Sequence, residues 1–393
     1  MRCSCSISLI AAIASVIMLA SCGTISRPDP GEPGPPAPTA TKLDAFRFPA
    51  TDERAFLNWY TAAAAQRTSL RLDGVNALAI SSGGANGAYG AGILVGWTKS
   101  GARPRFDIVT GVSTGALIAP LAFAGSAWDG RLTAAFHDPK LGAIENRGLG
   151  VLLRPSLFGG GVLTQLVNKY VDASLLRAVA SEQDKGRRLL VATTDLDTQE
   201  PVIWDMGAIA KAAQDPADQG QALQLFRHVL VASASIPGVF PPVLISAGPE
   251  QPGVPEMHVD GGVTTPFFLI PEAMALWKPD HSMRPKSLYI IINGQINPSY
   301  AITKGAMAPI MLRTLDTLGR AEMRARIVMT QAFAERNGGT LACTVIPDDR
   351  SADAFDFSRP NMDRLYDLGF ELASTGKAFQ APAEASSRAM GGC

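Results

Sequence analysis

Apolar and polar positions along this chain follow two periods in turn. Short runs rich in β-branched residues, "VNALAIS" (75–81), "FDIVTGV" (106–112) and "TLACTVIP" (340–347), are bounded by Gly, Asp or Pro and read as strands. "RLLVATTDL" (188–196) and "PVIWDM" (201–206) read as a strand pair with a polar turn between them, and "EMHVDGG" (256–262) as a short strand ending in a turn. "SLYIIIN" (287–293) does not alternate, the mark of a strand covered on both faces of a parallel sheet. The intervening segments show helical spacing: a helix from a Gly-rich turn to about Trp97, "TGALIAPLAFAG" (114–125), "QALQLFRHVLVAS" (221–233), residues 306–336 and "MDRLYDLGFELAS" (362–374). Strands alternating with helices predict an α/β chain, a three-layer α/β/α fold with a mainly parallel central sheet. No internal repeat is visible. A Gly-rich, apolar stretch at 146–161 reads either as a surface loop or as a mobile flap over a site.

The first 42 residues depart from this pattern. Arg2 precedes an uncharged apolar run of 14 residues, Ile7–Ala20, which suits a signal-peptide core and is shorter than the roughly 18 residues of a spanning helix. It ends in "LASC" (19–22), which resembles a bacterial lipobox; that resemblance implies a signal over 1–21, lipid on Cys22 and, with Gly23 after it, the outer membrane of a Gram-negative cell. Ordinary secretory cleavage is the plainer alternative. Residues 27–42 carry six prolines and are expected to be an extended tether of roughly 50 Å at about 3 Å per residue. The predicted organisation is therefore signal 1–21, lipidated cysteine and tether 22–42, and one domain over 43–393.

Composition narrows the possible roles. The 393 residues are 47% hydrophobic and 18% charged, enough for a sizeable core. Lys+Arg and Asp+Glu number 35 each, with no basic block, which argues against nucleic acid as a partner. Beyond the signal and Cys22 only Cys343 and Cys393 remain; they could pair with each other, but Cys343 lies in a strand-like run and reads as a buried small hydrophobe. No His, Cys, Asp and Glu cluster suggests a metal, and no cofactor motif is complete.

Three short motifs carry candidate chemistry. Gly111-Val112-Ser113-Thr114-Gly115 is a G-x-S-x-G between a strand and a helix, the context of a nucleophile elbow. The glycines allow the sharp turn, and Ser113 stands at a helix N-terminus that favours negative charge. "SGGANG" (82–87) places Gly83, Gly84 and Gly87 at another strand-to-helix turn, where free backbone N–H groups could hold a phosphate or a developing oxyanion. It lacks the first glycine of a dinucleotide fingerprint and the ribose-binding acid. Asp260, followed by Gly261 and Gly262, ends the short strand; alone it reads as a turn. Asp195 and Asp197 read most simply as polarising the turn between two strands; a metal role for them has no supporting His or Glu cluster. Of the four histidines only His281 follows Asp260, in a polar turn, so a Ser-His-Asp arrangement has weak support.

Taken in order, "SGGANG", "GVSTG" and "DGG" resemble the patatin-like phospholipase family, and "ATTDLDT" (192–198) and "ASASIPGVFPPV" (232–243) look like its connecting segments. The resemblance spans about residues 75–293. It implies the patatin-like fold and a serine acyl-ester hydrolase acting on phospholipids, lysophospholipids or other lipid esters. It further implies Ser113 as nucleophile, Asp260 as base in a Ser-Asp dyad, an oxyanion hole at Gly83 and Gly84, and no metal or cofactor. Ser82 stands where the family usually has a glycine and Asn86 where it usually has a basic residue, so the loop keeps its backbone donors but lacks a positive charge. Two alternatives stay open: a triad esterase using His281, and a non-catalytic lipoprotein that binds lipid.

Overall fold

The computed structural model describes residues 25, 27, 42–65, 74–144, 161–246, 254–269 and 284–379. The signal segment, Cys22, most of the Pro-rich stretch, the 146–160 loop, His281 and Cys393 lie outside them.

Nine strands in the described residues form one sheet. Its centre is parallel: β2 (Val75–Ile80) lies between β3 (Ile108–Val112) and β8 (Pro285–Ile291), with β4 (Arg188–Asp195) beyond β3 and β9 (Thr340–Thr344) beyond β8. On the far side of β4, β5 (Glu200–Asp205) and β1 (Arg47–Pro49) add antiparallel strands. The central strands are apolar on both sides because helices cover both sides. Every residue of β4 is buried.

One face packs against α2 (Gly87–Lys99), α3 (Thr114–Ala124), α6 (Ala173–Asp184), α8 (Gln219–Ser233) and α10 (Arg359–Ser374). Helices α2 and α10 approach until their backbones touch: a side chain at Gly92 would run into the carbonyl of Tyr366. The other face is covered by α1 (Glu53–Ala65) and α9 (Met307–Arg336), whose Phe56, Tyr60, Met323, Ile327 and Phe333 form the second core. Shorter elements include α4 (Asp129–Phe136), α5 (Gly161–Tyr170), α7 (Met206–Ala212) and β6 (Val243–Ile245). The expected three layers are present. Cys343 on β9 is buried as expected, but it is disulfide-bonded, with its partner outside the described residues, so it is more than a small hydrophobe. No described helix is long and apolar enough to cross a membrane.

One irregularity prepares the site. Strand β3 stops at Val112, opposite Ala192, but β4 continues to Asp195. Strand β7 (Glu256–Asp260) runs antiparallel into the slot that β3 vacates and pairs Asp260 with Thr193. The end of β7 is thereby set beside the end of β3, at the carboxyl ends of the parallel strands, where open α/β sheets place their ligands.

Candidate active site

Ser113 sits where β3 turns into α3, with φ 57° and ψ −125°. A positive φ costs energy for a residue with a Cβ, so the surroundings must hold it. The Ser113 N–H donates to Ser233 Oγ at 3.0 Å, and that hydroxyl donates to the Ala192 carbonyl at 2.7 Å. Side chains at Gly111 and Gly115 would collide with the Gly115 and Ile80 carbonyls, which is why the elbow needs both glycines. Ser233 is the residue that sequence reasoning missed. It lies within "ASAS", but nothing in that string says its hydroxyl braces an amide 120 residues away.

Asp260 is fixed by its backbone and left free at one oxygen. Its N–H donates to the Ser235 carbonyl at 3.0 Å, its carbonyl accepts from Thr194 Oγ1 at 3.0 Å, and Oδ1 accepts the Gly262 N–H at 2.7 Å. Asp260 thus also caps the turn Gly261–Val263, so the turn reading and the chemical one both hold. The side chain is 3% exposed, and Oδ2 is buried with no hydrogen bond of good geometry. Burial pushes the carboxyl up to about 7, and the Ser113 hydroxyl and the Gly262 amide hold it down only in part. No charged side chain contributes. The Ser113 hydroxyl is therefore near enough to act on the carboxylate, although it does not complete a hydrogen bond to Oδ2 in this state.

The loop after β2 closes the site from the other side. The N–H groups of Ser82, Ala85 and Asn86 are taken by the Pro266, Ala354 and Gly83 carbonyls. Among the described residues no acceptor occupies the N–H of Gly83 or Gly84. Gly84 has φ 57°, and a Cβ there would strike the Ala354 carbonyl, so only glycine fits the turn that leaves those donors free. Gly87 packs against the Thr114 side chain and Gly261 against the Ala192 carbonyl, locking the loop and the Asp260 turn to the elbow. Asn86, at the position of the missing cation, is buried with an unpartnered Oδ1.

Gly83, Gly84, Ser113, Asp260 and Gly262 line one open cavity of about 1140 Å³. A second, narrow cavity of about 90 Å³ meets it at Gly84, Ser113 and Ile236 and runs among Leu117, Leu163, Val167, Phe240 and Met362. Three predicted motifs thus converge on one point, between a wide, open cavity and a narrow apolar slot. The described histidines stand apart. His258 is buried between Thr193 Oγ1 at 3.0 Å and Glu256 at 3.1 Å, and His137 Nδ1 donates to the Thr133 carbonyl at 2.9 Å. None of the three described histidines, His137, His228 and His258, lines these cavities. No described group of His, Cys, Asp and Glu could hold a metal.

The family model of the patatin-like phospholipases matches residues 78–274, half of the chain. The protein belongs to the patatin-like phospholipase family. Among solved structures the chain is similar to VipD from Legionella pneumophila, at 11% identity and a TM-score of 0.35 over 77% of this chain. It spans 66% of the length of VipD. No curated protein matches. The matched segment of this patatin-like chain runs from β2 beyond β7 and so holds all three motifs.

Proposed function

We propose that this protein is a serine acyl-ester hydrolase of the phospholipase A or lysophospholipase type, working through Ser113 and Asp260 as a dyad. The observation that carries the reading is a strained serine, a carboxyl poised near neutrality and two free amides on one cavity that opens into an apolar slot. Family membership supports a lipid ester as substrate.

Ionised Asp260 takes the Ser113 proton on Oδ2 as Oγ adds to the ester carbonyl. A general base works best with a pKa near the working pH, and burial supplies that shift here without a histidine. The new oxyanion meets the Gly83 and Gly84 N–H groups, each such donor being worth about 3 kcal/mol. Protonated Asp260 then gives its proton to the departing alcohol oxygen, leaving an acyl-Ser113 whose chain lies along Leu117, Leu163 and Val167. Water, deprotonated by Asp260, adds to the acyl carbonyl; the proton returns to Ser113 and the fatty acid leaves. In the same reading Cys22 carries the lipid that tethers the enzyme to the cell envelope, at the outer membrane of a Gram-negative cell.

A fluorophosphonate probe tests the nucleophile. Wild type should be labelled at Ser113 and Ser113→Ala should not. Lipid profiling of wild type against Ser113→Ala should show fatty acid released only by the former. A folded wild type that neither labels nor releases fatty acid would leave lipid binding without catalysis.

A further inference from the structure

The long helix α9 divides into two unlike halves. Its C-terminal half buries Met323, Ile327 and Phe333 on the sheet. Its N-terminal half projects at the carboxyl end of the strands. There Met307, Ile310, Met311 and Leu318 follow the 3-and-4 spacing of a buried helical face, yet all are exposed. The preceding loop adds Tyr300, 93% exposed, and Ile302, 86% exposed. Scattered single apolar residues on a surface need no explanation; a stripe of six in nineteen consecutive residues does. Ile302 and Leu318 also line the catalytic cavity, so the stripe is its outer lip. The Lys304 ammonium, within the stripe, engages no described partner and can stay at a polar boundary while its stem lies on apolar surface.

A second feature, across the site, points the same way. Arg27 donates two hydrogen bonds to Asp197, at 2.8 and 2.7 Å, and Asp197 also accepts the Met257 N–H at 3.1 Å. Asp197 lies in the turn just beyond β4, at the same end of the sheet as Ser113. Only four residues lie between Cys22 and Arg27, so the two are at most about 18 Å apart along extended chain. With Arg27 clamped, a lipid on Cys22 would hold this end of the sheet close to a bilayer, and the stretch after Arg27 would not serve as the roughly 50 Å spacer that its prolines suggested. The Asp197 turn and the α9 stripe flank the active site, by β4 on one side and by β8 on the other.

We infer that the exposed face formed by Tyr300, Ile302, Met307, Ile310, Met311 and Leu318 docks on a lipid bilayer, so that the catalytic cavity opens against the membrane from which it takes its substrate. This rests on reading Ser113 as a lipid-ester nucleophile and Cys22 as an anchor. Burial of the stripe among acyl chains fixes how the cavity faces the bilayer, which a tether at Cys22 does not by itself set. Docking also lets an ester pass from bilayer to Ser113 along apolar surface.

The test uses the exported full chain. Met307→Asp/Ile310→Asp/Met311→Asp, three stripe residues outside the catalytic cavity, should hydrolyse a soluble short-chain ester within about twofold of wild type. Its release of fatty acid from phosphatidylethanolamine–phosphatidylglycerol vesicles should fall at least tenfold. Independently of activity, Tyr300→Trp should show tryptophan quenching by brominated-lipid vesicles beyond that of its parent. Vesicle hydrolysis at the wild-type rate by the triple variant, or no added quenching in Tyr300→Trp, would overturn the proposal. So would light scattering showing that the triple variant splits a dimer while vesicle hydrolysis persists, since the stripe would then be an interface between copies. Should the triple variant fail to fold by circular dichroism, the quenching alone decides. Added quenching in a chain that hydrolyses neither substrate would keep the docking and discard the hydrolase; ester hydrolysis without added quenching would do the reverse.

Discussion

Strand β7 carries an acid at each end, and the two live in opposite environments. Glu256, at its start, is held by a bidentate pair with Arg47, one arm at 2.7 Å, and by His258 at 3.1 Å. Burial alone would raise its carboxyl, but Arg47 and His258 outweigh that and bring it down to about 2. Asp260, four residues on, is more deeply buried, has no cation among its neighbours and is pushed up to about 7. The same functional group is a fixed anion at one end of a five-residue strand and a titrating base at the other. The difference is made by Arg47 and His258 at one end and by the absence of any such partner at the other, and it shows that withholding a counter-ion can be as constructive as supplying one.

The largest break in this comparison is Asp260→Asn. The amide keeps the size but cannot accept the Ser113 proton, so turnover on a short-chain ester should fall by about three to four orders of magnitude or more. Ser113→Ala should fall comparably, and the double variant should be hardly worse than either, because residues that act as a unit fail together. Initial rates, with circular dichroism to confirm folding, check this.

Stability should separate the two acids with opposite signs. A carboxyl raised in the folded state contributes stability that is present at low pH and lost as pH climbs from about 4 through 7. Asp260→Asn should therefore be more stable than wild type at pH 8, by up to about 4 kcal/mol if the whole shift is realised, and the gain should vanish near pH 4. Glu256 is depressed, so its contribution is present above about 4.5 and lost as pH falls towards 2. Arg47→Leu removes its partner and should cost about 1–3 kcal/mol at pH 7, discounted for partial exposure of the pair. Urea unfolding at several pH values measures all three. The smallest expected effect sharpens the contrast: Glu256→Gln should leave ester turnover within about twofold of wild type, since this acid supports the strand and not the reaction.

Much of this was legible in the sequence because local rules dominate where the site is built. The strand before Ser113, the glycines around it, and the order of the three motifs follow from turn sterics and apolar periodicity, and each stands on the expected element. Less legible were contacts made only by topology. Nothing local announces that β7 inserts beside the end of β4, yet that pairing converts Asp260 from a turn residue into the neighbour of Ser113. The same holds for Ser233 and for Glu256, whose partner Arg47 lies 209 residues away. The strand β1, only three residues long, and helix α1 at the start of the domain went unread, although Phe56, Trp59 and Tyr60 of α1 stand at helical spacing. The exposed stripe of α9 read as part of an ordinary long helix, because spacing marks an apolar face without saying what covers it.

The central claim is that Asp260, raised by burial, is the base for Ser113. The most direct measurement is the rate of fluorophosphonate labelling of Ser113 against pH, in wild type, Asp260→Asn and His281→Ala. The account predicts a wild-type rate that climbs about tenfold per pH unit and levels off with a midpoint near 7. The climb should be absent in Asp260→Asn and unchanged in His281→Ala. A wild-type profile retained by Asp260→Asn, or abolished in His281→Ala, would contradict it.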